Sequence, residues 1–254
     1  MATYCVLIFV VVLCGLVPLG QQASCPVACG GTCTNNQQGD IVSAVCGDVR
    51  LQTLPQTLVN LSVYDASPFT LPLGRLSGYL LNQPHLLTLD INNYGVKKLE
   101  SGCFNGCPLL RTLNLAHNHV DGIQADNFIG LNNLEILNLD FNTITDVGDF
   151  CFRNLSKLRE LRISHNLLEV INGRMLEGLG SLSILDLRNN RIKTVHGQSF
   201  SRLHQVEEID LQNNHINQLA DGLFIQTRRL RRLNISNNEI EILAPSIFLG
   251  ELGK

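Results

Sequence analysis

Across 254 residues the chain carries 19 basic and 22 acidic side chains, a net charge of −3, and 44% hydrophobic residues. That balance excludes a global basic field, and with it a nucleic-acid partner recruited by net charge. Beyond the N-terminus no run of 18 or more apolar residues occurs, so no further membrane segment is expected.

From the N-terminus, Cys5 to Val17 form an apolar run that stops near Pro18 and Gly20. It is short for a membrane span and fits the core of a secretory signal, residues 1–23, although no Lys or Arg precedes it. Cleavage after Gly20 and cleavage after Ala23 both fit. The segment 24–57 follows, with Cys25, Cys29, Cys33 and Cys46 ahead of Asp48-Val49-Arg50-Leu51 and Leu54-Pro55. Four cysteines allow three pairings, and spacing alone does not choose among them.

Leu58, Leu61 and Val63 open a divergent copy of a phrase that becomes regular at Leu86. Residues 58–85 therefore read as one atypical coil with a bulged loop at its back. From residue 86 to 253 the phrase returns every 24 residues, at Leu86, Leu110, Leu134, Leu158, Leu182, Val206 and Leu230. Its pattern is L-x-x-L-x-L-x-x-N-x-I/L, as in Leu110, Leu113, Leu115, Asn118 and Val120. Positions 1, 4 and 6 alternate like a short strand with one buried face. Position 19 adds Phe104, Phe128, Phe152, Phe200, Phe224 and Phe248, with Leu176 in the fourth copy. No coil can bury these residues alone, so the coils must stack around a common core with an aromatic spine. Asparagine at position 9 (Asn118, Asn142, Asn166, Asn190, Asn214, Asn238) suits a tight inner turn, because one amide both donates and accepts. Tyr94 interrupts that row, and its coil is expected to turn less regularly.

A fixed period in the twenties with this phrase is the signature of a leucine-rich repeat solenoid. With the cysteines before it, the chain from about Cys25 to Leu252 resembles the extracellular class of that family. The class includes Toll-type receptor ectodomains, secreted leucine-rich immune proteins, adhesion proteins and small matrix proteoglycans. The resemblance implies an α/β solenoid: a leucine-rich repeat horseshoe with a parallel sheet on the concave face and irregular or short helical turns on the convex face. It also implies a cysteine-rich N-terminal cap over the first coil, with disulfides Cys25–Cys33 and Cys29–Cys46. The C-terminal cysteine cap common in the class is absent, and a further copy would begin at Lys254, so the chain is read as incomplete.

Three cysteines lie within the repeats. Cys107 occupies a position that is leucine in other copies, so a core thiol and a bond to Cys103 both stay open. Cys151 is either inert or a disulfide link to a partner chain. Glycosylation triplets begin at Asn60, Asn154 and Asn234, and glycans on Asn60 and Asn234 would confine a protein ligand to the middle coils.

Ligand contacts are expected on the concave strands. The basic run Arg228-Arg229-Leu230-Arg231-Arg232 looks like a polyanion patch, but Glu207 and Glu208 should lie beside Arg231 and Arg232 and cancel half of it. The middle coils are more distinctive. Phe141 stands at position 8 between His117 and His165, with Asp140, Arg162, Asp186 and Arg188 nearby. Aromatic and arginine anchors dominate protein interfaces, against the alternative of a Phe merely shielded by its neighbours. A pH-sensing role for the two histidines is a lesser option, and metal binding is disfavoured by Phe141 between them.

No H-E-x-x-H, G-x-S-x-G, phosphate-loop or dinucleotide motif occurs, and the Asp and His residues do not converge, so neither an enzyme nor a cofactor is expected. The expectation is a secreted or cell-surface recognition module whose concave face takes a protein ligand, a co-receptor, or a microbial or glycan ligand. The alternative is an adhesive matrix component acting by lateral self-association, against which a concentration-independent monomer in ultracentrifugation would count.

Overall fold

The structure is a computed structural model that describes residues 32–35, 41–46, 60–63, 75–76 and 83–248. The signal-like segment, Cys25 and Cys29 lie outside these residues, as do the side chains of Cys33 and Cys46.

The strands run in chain order as β1 (Thr32–Asn35), β2 (Ile41–Cys46), β3 (Asn60–Val63), β4 (Arg75–Leu76), β5 (Thr88–Asp90) and β6 (Lys98–Leu99). They continue as β7 (Thr112–Asn114), β8 (Gly122–Ile123), β9 (Ile136–Asn138), β10 (Asp146–Val147) and β11 (Glu160–Arg162). The last are β12 (Val170–Ile171), β13 (Ile184–Asp186), β14 (Thr194–Val195), β15 (Glu208–Asp210) and β16 (Arg232–Asn234). One ten-stranded sheet has the order β1-β2-β3-β5-β7-β9-β11-β13-β15-β16. Only β1 and β2 pair antiparallel; every later neighbour is parallel. Across the repeats the register joins residues one period apart, as in Leu113↔Leu137 and Leu161↔Leu185. The two-residue strands form separate short ladders behind it, β4·β6, β8·β10 and β12·β14. This is a parallel-strand leucine-rich repeat solenoid.

The alternation read from the sequence is the alternation of burial. Leu113, Leu137, Leu161 and Leu185 at position 4 are fully buried, as are Leu115, Leu139, Ile163 and Leu187 at position 6. The spine stacks in two runs, Phe104–Phe128–Phe152 with centroids 6.2 and 5.9 Å apart and Phe200–Phe224–Phe248 at 5.4 and 5.5 Å. Between them Met175 and Leu176 fill the coil together, both buried. The backs of the coils are turns, and the single helical element among the described residues is a 3-10 turn, Pro245–Phe248. Gly178, at φ +98°, shows how tightly successive backs pack: a Cβ there would lie 2.4 Å from the Arg153 Cα.

The position-9 asparagines bind each coil to the one before it. Asn142 accepts from Val120 N at 3.0 Å and donates to the carbonyls of Leu115, Leu139 and Asp140. Asn118 accepts from both Tyr94 N and Val96 N, so the coil lacking its own asparagine still has these amides satisfied.

Candidate functional site

The strands of the regular coils are only three residues long, positions 3 to 5, so Phe141 does not stand on a strand as the sequence suggested. It lies three residues beyond the end of β9, at the rim of the concave sheet. Here every position-8 residue from Asn93 to Asn237 adopts a left-handed backbone with φ between 53° and 55°. Asparagine tolerates that region, whereas a bulky residue such as Phe141 is strained in it. The backbone still ties coil to coil: His117 N donates to Asp140 O at 2.9 Å and Phe141 N to Ser164 O at 3.0 Å. Side chains at position 8 therefore stack one above another.

His117 and Phe141 stack with centroids 4.4 Å apart, and Phe141 and His165 with 4.1 Å. Both faces of the Phe141 ring are covered, its edge points outward, and the residue is 44% exposed. Amides continue the row: Asn237 donates to Asn213 Oδ1 at 2.7 Å, and Asn213 donates to Asn189 Oδ1 at 2.8 Å. With its own oxygen taken, Asn189 presents Nδ2 to His165 Nε2 at 3.1 Å, which makes that ring nitrogen the acceptor. Asparagine recurring at position 8 was the sequence signal for this left-handed rim.

A second group sits deeper in the sheet. Arg162, at the end of β11, pairs with Glu160 two residues before it, on the same face. Asp186, at the end of β13, pairs with Arg188 Nε at 3.4 Å and accepts its backbone N–H at 3.1 Å. Burial pushes the Asp186 carboxyl above its ordinary value; Arg188 opposes this and the charges of Asp140 and Asp210 add to it. Asp140 has a part in the fold itself. It is buried, and its Oδ1 accepts from Ser164 N at 2.7 Å, holding the next coil's turn. Of the seven candidates, His117, Phe141 and His165 form one stack, Arg162, Asp186 and Arg188 form ion pairs beside it, and Asp140 is structural.

The leucine-rich repeat pattern matches residues 84–144, 132–192, 180–240 and 204–250. The chain belongs to the leucine-rich repeat family. No curated protein matches its sequence. Among solved structures, the Toll–Spatzle complex of Drosophila superposes with a TM-score of 0.71 at 23% identity, over 81% of this chain and 30% of that one. The complex of Toll-like receptor 13 with a single-stranded RNA gives 0.66 at 21%, over 74% and 27%. A leucine-rich repeat protein of Leptospira interrogans gives 0.55 at 22%, over 76% and 54%. The chain thus spans under a third of the Toll-type chains and about half of the bacterial one, and at these identities the likeness is one of fold.

In this leucine-rich repeat chain the structure chooses between the alternatives left open for the three repeat cysteines. Cys103 and Cys107 are separate buried thiols, not a disulfide. Cys151, read as either inert or a link to a partner chain, is buried with its Sγ 3.2 Å from Ile123 O, and burial pushes the thiol up to about 12. Neither exposure nor thiolate character is available for an intermolecular bond. The basic run is compensated as expected, with Arg231 paired to Glu207 at 3.6 Å and Arg232 Nε to Glu208 at 3.0 Å. Among the glycosylation triplets, Asn154 is half-buried at the back of its coil. Asn60 lies in β3, and the Asn234 amide is bonded to Asp210 and Gln212. Among the described residues no His, Cys, Asp and Glu group could hold a metal, and no helix is long and apolar enough to cross a membrane.

Proposed function

We propose that this leucine-rich repeat module is an extracellular recognition domain of innate immune or cell-surface receptor type. It binds a protein ligand through the concave face and the Phe141 rim, without chemistry of its own. The observation that carries the reading is Phe141. It is a large aromatic held exposed in a left-handed backbone where other coils place asparagine or histidine. Such strain and exposure favour a role outside the fold's own packing. The flanking histidine rings keep the ring rigid, so little entropy is lost when a partner packs on its edge. Arg162 and Arg188, already oriented by Glu160 and Asp186, supply guanidinium donors beside it.

The Toll–Spatzle and receptor–RNA complexes show that this fold serves both protein and nucleic-acid ligands in other proteins. Here the net charge of −3 and the compensated arginine run favour a protein. The apolar N-terminal run and the glycosylation triplets support secretion to the outside of the cell. The test is capture of extracellular partners on the secreted, tagged chain, with Phe141→Ala and Arg162→Ala in parallel. Both substitutions are expected to lower capture of a specific partner at least tenfold while secretion stays normal. Unchanged capture by both variants overturns the site.

A further inference from the structure

On the opposite border of the concave sheet, two side-chain rows run along the solenoid. Position 2 carries Arg111, Glu135, Arg159, Ser183, Glu207 and Arg231. The residue immediately before each coil is Asn133, Lys157, Ser181, Gln205 and Arg229 in successive copies. Both rows drop to serine in the same coil. Because residues one period apart are direct neighbours, Ser183 lies beside Arg159, and Ser181 beside Lys157. The result is a recess of about 680 Å³ with Gly180, Ser181 and Ser183 as its floor, Lys157 and Arg159 on one wall, and Gln205 and Arg229 on the other.

The charges around this recess are not equivalent. Glu135 is taken by Arg111 at 3.3 Å, and Glu207 by Arg231 at 3.6 Å. Arg159 stands between Glu135, already held by Arg111, and Ser183, where the alternation would place a second acidic neighbour. Among the described residues neither Arg159 nor Arg229 has a carboxylate partner, and Lys157 only donates to the Asn133 side chain at 2.7 Å. Three cations and two hydroxyls thus face one recess, with Glu135 and Glu207 completing its lining.

We infer that this recess is a second contact site, one that takes an acidic side chain of a peptide ligand, with Arg159 as its principal partner. A guanidinium fork matches a carboxylate with two parallel hydrogen bonds, and the serine hydroxyls and the Lys157 ammonium supply further donors. A single carboxylate suits the site better than a sulfated polysaccharide. Glu135 and Glu207 line the recess on either side of Arg159 and Ser183, each already held by an arginine outside it. A long polyanion running along the solenoid would pass over both, whereas one projecting side chain can reach the Arg159 fork between them. The inference rests on the recognition reading only for the source of the carboxylate, since the recess is separate from the Phe141 rim.

The test follows the Arg Nε–H resonances of the full chain during titration with N-acetyl-Asp-Glu-amide, with N-acetyl-Asn-Gln-amide as the neutral control. The acidic dipeptide is expected to shift the Arg159 signal saturably, and the neutral one to leave it in place. Ser183→Glu supplies the missing acidic neighbour from within the chain and is expected to weaken binding at least tenfold, as is Arg159→Gln. Phe141→Ala is expected to bind the dipeptide unchanged, so failure here and failure of the rim site are told apart. An unsaturable shift overturns the proposal. So does a sulfated disaccharide that binds more tightly than the dipeptide and keeps its affinity in the Ser183→Glu protein.

Discussion

At Asp186 three effects compete, and their sum can be read as stability. Burial disfavours the carboxylate most, the Arg188 N–H and guanidinium favour it, and the neighbouring Asp140 and Asp210 disfavour it again. The folded-state value lies above the unfolded one, so the folded chain holds the proton to higher pH. The ionised form therefore costs stability above the folded-state value. That cost fades as pH falls through the window between the folded-state value and the ordinary carboxylate value. Asp186→Asn keeps an oxygen to accept from Arg188 N while removing the buried charge. Thermal unfolding at pH 7 should show a rise of a few degrees, the size that about 1 kcal/mol produces in a domain of this length. The rise should shrink as the pH is lowered through the acidic range, and a gain independent of pH would remove the charge argument. This residue was legible as a candidate because it faces the sheet surface. Its burial was not, because that depends on which groups the fold brings around it, the Arg188 guanidinium among them. Phe141 was legible as an exposed aromatic, but its left-handed backbone was not, since asparagine at position 8 resembles ordinary turn composition until all coils are seen to share one φ.

Within a single coil, the eighteenth position joins residues that look unrelated along the chain. Asn127 donates to Leu99 O at 2.9 Å, Ser199 to Ile171 O at 2.9 Å, and Cys151 to Ile123 O at 3.2 Å, each reaching back 28 residues. An amide, a hydroxyl and a thiol thus tie the back of one coil to the short strand of the coil before it. Only the three-dimensional neighbour reveals the shared role, which is why Cys151 read as an odd thiol, either inert or joined to a partner chain. Cys151→Ser places in this coil the group that Ser199 already uses two coils on. Its unfolding free energy should stay within about 1 kcal/mol of the parent, the range of a neutral hydrogen-bond exchange. With the thiol pushed up to about 12 and buried, native protein at pH 8 should resist iodoacetamide at Cys151 and react only once unfolded. Rapid alkylation of the native chain, or a doubled mass without reductant that Cys151→Ser abolishes, would restore the intermolecular reading. The spine shows the same limit on legibility. Leu176 was visible as a gap among phenylalanines, whereas Met175 turning inward to fill it was not.

Taken whole, the molecule is held by contacts between successive coils, with hydrogen bonds, asparagine bridges and ring stacks all spanning one period. This was the most legible level, because a 24-residue period with buried positions 4 and 6 admits few arrangements other than stacked parallel strands. The recess at Ser181 and Ser183 was less so, since it appears only when two rows are laid side by side and their minima coincide. Nearest-neighbour stacking also predicts how the chain fails. Leu161 is fully buried in β11, between β9 and β13. Leu161→Ala should cost about 2–5 kcal/mol, the usual range for a leucine truncated in a packed core. In a solenoid that loss falls first on the interfaces the coil makes with its two neighbours. Native-state hydrogen exchange should therefore lose protection at 136–138, 160–162 and 184–186, while 88–90 and 208–210 keep more of theirs. Equal loss at every strand would mean that the coils unfold as one cooperative unit. A lesion at the Phe141 rim would then weaken recognition across the whole surface, and only a local loss leaves the rim and the serine recess as separable contact sites.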